Sequence, residues 1–176
     1  RCAHQLGRAQ PAGAGDRPAQ RLWRVRARQV VLAQGAIERP LAFSNNDRPG
    51  VMLASAVSTY LRRFAVRPGA SAVVFTNNDS AYRAALDLNE AGAEVLVVDS
   101  RAGGAGDLGR QAEDAGIAVL RGYLVVDLAG RRRVRTVRIA RWRGDPSRTV
   151  EARLSVDCDL LAMSGDPREA LVSAVP

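Results

Sequence analysis

The chain has 176 residues, 47% hydrophobic and 5% aromatic, with a formal charge of +8. That length suits one medium globular domain or pieces of two, and no apolar run approaches the ~20 residues of a membrane-crossing helix. All 26 basic residues are arginine; scattered, without stacking aromatics, a helix-turn-helix or zinc spacing, they read as the composition of a GC-rich genome rather than a nucleic-acid surface.

Residues 1–20 are rich in Ala, Gly, Pro and Arg without periodicity and read as loop or disorder. The chain starts at Arg1 and shows no signal-peptide pattern, so it reads as a fragment and is placed in the cytoplasm. His4, the sole histidine, and Cys2 fall in this terminus. That argues against a Ser-His-Asp or Cys-His mechanism and against a histidine-ligated metal, so neither a catalytic residue nor a metal ligand is assigned. From Arg21 to Arg28 the pattern alternates and predicts a strand with Trp23, Val25 and Ala27 inward. A second strand, Gln29 to Ala33, leads into Gln34-Gly35-Ala36, and a polar connection with two prolines runs from Ile37 to Pro49. Asn45-Asn46-Asp47 within it reads first as a loop held by side-chain-to-backbone bonds, and second as lining for a cofactor cleft. Val51 to Phe64 predicts a helix with Leu53, Val57, Tyr60, Leu61 and Phe64 on one face, and Arg62 and Arg63 in the last turn, where positive charge suits the dipole. Arg67-Pro68-Gly69 marks a domain boundary.

The stretch from Ser71 to Ser100 reads as strand, turn, helix, parallel strand, the first half of a dinucleotide-binding unit. Val73, Val74 and Phe75 form one strand; Ala81, Ala84, Ala85 and Leu88 recur at helical spacing; Gly92 stops the helix; Val95 to Val98 form the next strand, ending on Asp99. The turn that should be glycine-rich is Thr76-Asn77-Asn78-Asp79-Ser80. Asn78 or Asp79 can cap the helix, worth roughly 1 kcal/mol. A carboxylate about 4 Å from a phosphate charge repels it by roughly 1–4 kcal/mol, against ~0.3–1 kcal/mol from the helix dipole. This unit is therefore expected not to bind a dinucleotide in the usual way, and Asp99, at the ribose position, reads first as a solvated loop residue.

Gly103 to Gly106 reads as a flexible connection, and Asp107 to Gly116 as a helix with Leu108, Ala112 and Ala115 apolar. Ala118 to Leu128 is a strand-pair region, Arg131-Arg132-Arg133 beside Gly130 a hairpin turn, and Val134 to Trp142 a further strand. Alternation from Thr149 to Val156 gives the clearest half-buried strand in the chain. Asp157 and Asp159 read as a solvated strand entrance around a core Cys158, ahead of a buried strand from Leu160 to Met163.

The segment from Arg21 to Leu61, with QGAIERP and NNDRPGVM, followed by VVFTNNDSAYRAAL, is similar to the alpha chains of heterotetrameric sarcosine oxidases. Related chains occur in opine dehydrogenases and hydrogen cyanide synthase. VVLAQGAIERP also resembles the element of two-dinucleotide-fold flavoproteins where backbone after a strand passes close to the cofactor. The resemblance implies an α/β fold: a Rossmann-like three-layer nucleotide-binding domain with a β-meander, inserted in a second, incomplete FAD/NAD-binding domain. It divides the chain into residues 1–20, residues 21–68 as part of the first FAD/NAD domain, residues 69–157 as a degenerate second domain, and residues 158–176 as the return. It implies cofactor contact at Ala33, Gln34, Gly35 and Arg39, NAD in the intact alpha chain, and FAD or FMN in the complex. Other sarcosine oxidase subunits are the implied partners, with sarcosine and tetrahydrofolate at the level of the complex. The alternatives are an opine- or cyanide-forming dehydrogenase subunit, or a catalytically empty structural fragment. Past Gly165 the chain departs from its relatives, so unpaired strand edges, an uncovered apolar face and instability in isolation are expected.

Overall fold

The computed structural model describes residues 22–33, 37–142 and 154–166. The chain divides into two units, Arg1–Gly35 and Ala36–Pro176. In the first, residues 22–33 form no strand and are all exposed, with Val25 at 79%, Val31 at 88% and Leu32 at 78%. This corrects the two strands expected from Arg21 to Ala33, with Trp23 and Val25 inward. The alternation is present in the sequence, but among these described residues it gives only an isolated bridge at Trp23 and no ladder.

The described residues of the second unit form eleven elements: β1 (Val51–Leu53), α1 (Ala54–Phe64), β2 (Ser71–Thr76), α2 (Ala81–Glu90), β3 (Glu94–Asp99), α3 (Asp107–Asp114), β4 (Ala118–Arg121), β5 (Tyr123–Ala129), β6 (Thr136–Arg141), β7 (Leu154–Asp157) and β8 (Leu160–Ser164). Five strands make a parallel sheet in the order β1-β8-β2-β3-β4, and β5-β6-β7 form an antiparallel meander. The period of two along the central strands divides their side chains between two cores. Val74, Val97, Leu160 and Ala162 pack with the three helices, while Val73, Phe75, Val98, Leu161 and Met163 pack with the meander. The result is three layers, helices over parallel sheet over meander, with both faces of the sheet covered. Among the described residues the exposed large apolar side chains lie in the segment Leu22–Ile37 and, in the body, at Tyr60, Phe64, Val66 and Leu154.

Local chemistry explains the element ends. Ala81, Ala84, Ala85 and Leu88 are all buried, as their spacing predicts, and Gly92 takes φ +76° to end α2. The helix predicted over 51–64 starts three residues late because Val51–Leu53 pair with β8 as β1. Its predicted buried face is also corrected. Val57 is fully buried, but Tyr60 (44% exposed) and Phe64 (56%) stack on each other at the surface. Gly122, at φ +72°, separates β4 from β5, and Gly130 to Arg133 form the β5–β6 turn. The strand expected from Thr149 to Val156 is seen as β7; residues 149–153 lie outside the described residues. β7 is the edge strand of the meander, with Val156 packed against the core as the alternation predicts and Leu154 exposed, contrary to it.

The sheet runs through both expected domain junctions. β1 and α1 precede Arg67–Gly69, β8 follows Cys158, and all three belong to the body built on β2 and β3. The two aspartates around Cys158 act structurally: Asp159 accepts from the Ala70 and Ser71 amides at 3.0 Å, and Asp157 accepts from Thr136 Oγ1 at 2.9 Å. No helix among the described residues is long and apolar enough to cross a membrane.

Candidate dinucleotide site at the carboxyl edge of the sheet

In an open parallel sheet a ligand sits beyond the carboxyl ends of the strands, where connections leave in opposite directions. Here that edge is the row Ser164, Thr76, Asp99 and Arg121, aligned by strand register. Among the described residues the buried polar and charged side chains are Thr76, Asn77, Asp99, Ser100 and Ser164, all at this edge. Burying such groups is tolerated only when they are hydrogen-bonded.

The turn after β2 closes on itself and on its neighbour β8. Thr76 Oγ1 accepts from the Asn78 amide at 3.0 Å and donates to the Asn78 carbonyl at 2.9 Å. Asn78 Nδ2 donates to the Ser164 carbonyl (3.1 Å) and Oγ (3.0 Å). Its Oδ1 accepts from the Ser80 amide at 3.0 Å and from Ser80 Oγ at 2.6 Å, which closes the turn; the N-cap position of α2 is Ser80, with no side-chain cap hydrogen bond, so neither expected cap, Asn78 or Asp79, fills that role. Asn77 Oδ1 accepts from the Asp166 amide at 2.7 Å. Groups that in a glycine-rich turn would face a pyrophosphate are engaged by the chain's own side chains.

Asp99 is fully buried, not solvated. One carboxylate oxygen accepts from the Arg101 amide (2.9 Å) and Nε (3.0 Å); the other accepts from Tyr82 Oη (2.8 Å) and Arg101 Nη2 (2.8 Å). A carboxylate has about four lone-pair sites, and all are used, leaving none for ribose hydroxyls. Arg101 Nη1 also reaches Asp79 at 2.7 Å, tying the turn after β2 to the end of β3. Burial first, then the charge on Asp99, pushes the Tyr82 hydroxyl well above its usual range. The hydrogen bond to Asp99 raises the Arg101 guanidinium further above its already high value. Nothing in the sequence marks Tyr82 or Arg101; their roles depend on which faces α2 and β3 turn toward each other.

Ala33 is exposed, in the first unit, while Gln34 and Gly35 lie outside the described residues. Arg39 has an exposed side chain, and its backbone forms an antiparallel bridge with Gly165, at 2.8 Å and 3.3 Å. Asn45 and Asn46 hold their own loop: Asn45 Nδ2 donates to Asp127 at 2.7 Å and Asn46 Nδ2 to the Leu41 carbonyl at 3.2 Å. An open cleft of about 200 Å³ lies between α1 and α2, smaller than a typical cofactor site. Much of its polar lining is paired, Ser55 with Glu38, and Ser58 and Arg62 with Asp87, and Arg83 also lines it.

The layered body, a parallel sheet between helices and a meander, defines a Rossmann-like nucleotide fold. Thioredoxin reductase of T. acidophilum superposes with a TM-score of 0.59 at 12% identity, over 75% of this chain and 42% of that one. The Lactococcus lactis thioredoxin reductase gives 0.56 at 16% identity, over 75% and 42%. No protein-family model matches the chain. The particular relationship comes from sequence: the chain is homologous to a segment of sarcosine oxidase subunit alpha. It is 43% identical to that subunit of Corynebacterium sp. (strain P-1) over 94% of its own length, and 52% identical to that of Rhizobium meliloti (strain 1021) over 48%. It spans 16% of the Corynebacterium protein's length.

Proposed function

We propose that the chain is part of an oxidoreductase subunit of the sarcosine oxidase alpha type, in which the body from Ala36 onward is scaffold and not a nucleotide site. The kinship in sequence supports the first half of this reading. The observation that carries the second is the saturated Asp99 carboxylate, with both oxygens filled by Tyr82 and Arg101. On this reading the intact complex oxidises the N-methyl group of sarcosine with FAD or FMN, and passes the one-carbon unit to tetrahydrofolate. The alpha chain holds NAD in a different fold, with Ala33, Gln34, Gly35 and Arg39 contributing contacts, and docks on other subunits in the cytoplasm. Catalytic groups for the amine lie outside this chain.

Two titrations test the proposal. Calorimetry of the purified chain with NAD and with FAD should show no saturable binding tighter than about 1 mM. In the full-length polypeptide, nucleotide released on denaturation should include NAD, and Gly35→Val should lower its occupancy. Micromolar NAD binding by the chain itself, abolished by Asp99→Ala, would overturn the scaffold reading.

A further inference from the structure

The amino ends of β1 and β8, opposite the row of Thr76, Asp99 and Ser164, are bordered by arginine. The β5–β6 turn holds Arg131, Arg132 and Arg133, all exposed, and Arg135 follows, also exposed. The fold brings a fifth, half-buried arginine to them, Arg48. Pro49, next to it, accepts the Val134 amide at 2.9 Å, and a Cβ on Gly50 would lie 3.0 Å from Val134. The backbone of Arg48–Gly50 thus runs against that of Arg133–Arg135. In the sequence Arg48 stands far from the others, and the cluster exists only in the fold.

The turn that presents these side chains is firmly held. Gly130 takes φ +138°, and a Cβ there would collide with the Arg133 carbonyl oxygen. The Arg135 amide donates to the Ala129 carbonyl at 2.9 Å, and the Arg135 carbonyl accepts from the Cys158 amide at 2.9 Å. Val134, fully buried, roots the turn in the core beneath the meander. The charges, by contrast, are left without counter-charges. Among the described residues the side chains of Arg131, Arg132, Arg133 and Arg135 make no hydrogen bond or ion pair. Arg48 Nη2 donates to Asn45 Oδ1 at 3.2 Å, and its buried Nε has no acceptor among them. Asp127 is taken by Asn45 and by Arg138 at 3.0 Å. Exposed Asp47 adjoins Arg48, and Asp157 accepts from Thr136. Like charges gathered in this way oppose the compact state, so the cluster does not serve the stability of this body.

We propose that these five arginines form a docking surface for a carboxylate-rich face of a neighbouring subunit. The inference rests on the reading of the chain as part of an oxidoreductase subunit. Arginine pairs bidentately with carboxylates and is enriched at protein interfaces. Its charge keeps the face solvated before assembly and steers the encounter of separately folded chains, which a contact within one polypeptide does not need. A second copy related by a two-fold axis would set arginine against arginine. The exposed aromatic side chains of the body, Tyr60 and Phe64, lie on α1, so this surface offers no platform for stacked bases.

The test uses the full-length polypeptide in its native assembly. Arg131→Glu/Arg132→Glu/Arg133→Glu reverses the charge of the turn and leaves Gly130 and Val134 in place. Sedimentation should show subunit affinity lowered about tenfold or more, and added salt should weaken the wild-type assembly much more than the variant's. The unfolding midpoint of the variant should hold, since none of the three side chains belongs to either core. If the triple variant does not fold, Arg132→Lys keeps the charge and introduces an amine into a stretch that has no lysine. Carbodiimide coupling should join that amine to an Asp or Glu of another subunit. Undiminished assembly of the triple variant, coupling only within the same polypeptide or to a second copy of it, or nucleic acid that co-purifies with the wild type and not the variant, would each sink the docking surface. A full-length polypeptide that sediments without partner chains is a separate outcome and would remove the subunit reading itself.

Discussion

At the scale of single residues, the carboxyl edge of the sheet depends on Asp99 and the donors it collects. Removing Tyr82 Oη by Tyr82→Phe leaves a buried carboxylate oxygen one donor short, and urea unfolding should show a loss of about 1–3 kcal/mol. Asp99→Asn deprives Arg101 of its buried partner. Because the Arg101 side chain is still 29% exposed, the loss should fall at or below the low end of the range for broken buried pairs, about 3 kcal/mol. Cys158 offers a pH test. Burial first, with Asp159 adjacent, pushes its thiol up to about 12 from an ordinary value of 9. The native state therefore keeps a proton that the unfolded chain releases, and this contribution is whole below pH 9 and lost as pH rises through 9 toward 12. Between about pH 8 and about pH 10 the wild type should lose about 1.4 kcal/mol more stability than Cys158→Ala, measured as parallel urea titrations.

At the scale of elements, the central strands were legible because a buried parallel strand is an unbroken apolar run. Val73–Phe75, Val95–Val98 and Leu160–Met163 all appear within a residue or two of where the pattern predicts. The errors fall where a neighbour decides. Val51–Leu53 read as the first turn of a helix and form a strand, because β8 offers them a parallel ladder. Val156 packs against the core as the alternation predicts, but Leu154 stays exposed on β7, the meander's edge, with no strand beyond it among the described residues. The close approach at Gly165 carries its own prediction. Gly165→Ala places a methyl group against the Arg39 carbonyl and Leu41, and should destabilise the body by about 1–3 kcal/mol in thermal or urea unfolding.

For the molecule as a whole, the body from Ala36 onward covers both faces of its main sheet, while the apolar side chains of Leu22–Leu32 stand exposed in the other unit. Apolar surface of this kind drives association. Replacing Val30, Val31 and Leu32 with Ser should raise the concentration at which the purified chain aggregates, read by light scattering. It should leave the unfolding midpoint unchanged, because none of the three belongs to either core. A fall in midpoint would show that the segment is integrated into the folded body.

The amino-acid order by itself determined the strand–turn–helix–strand unit, the glycine-free turn and the kinship with sarcosine oxidase alpha chains, because periodicity, turn chemistry and motif identity are local properties of a chain. It did not reveal where β1 and β8 belong, that Asp99 is buried and saturated, or that Asn77 and Asn78 grip the chain leaving β8. Those facts join residues far apart in the chain, Asn77 with Asp166 across 89 positions and Val51 with Leu161 further still, and they arise only when parallel pairing aligns the strands and brings Thr76, Asp99 and Ser164 into one row. An aspartate at the end of a strand looks the same in sequence whether it faces water, a ribose or an arginine. Which of these it meets is settled by packing, since a carboxylate taken out of water must find its donors within the fold.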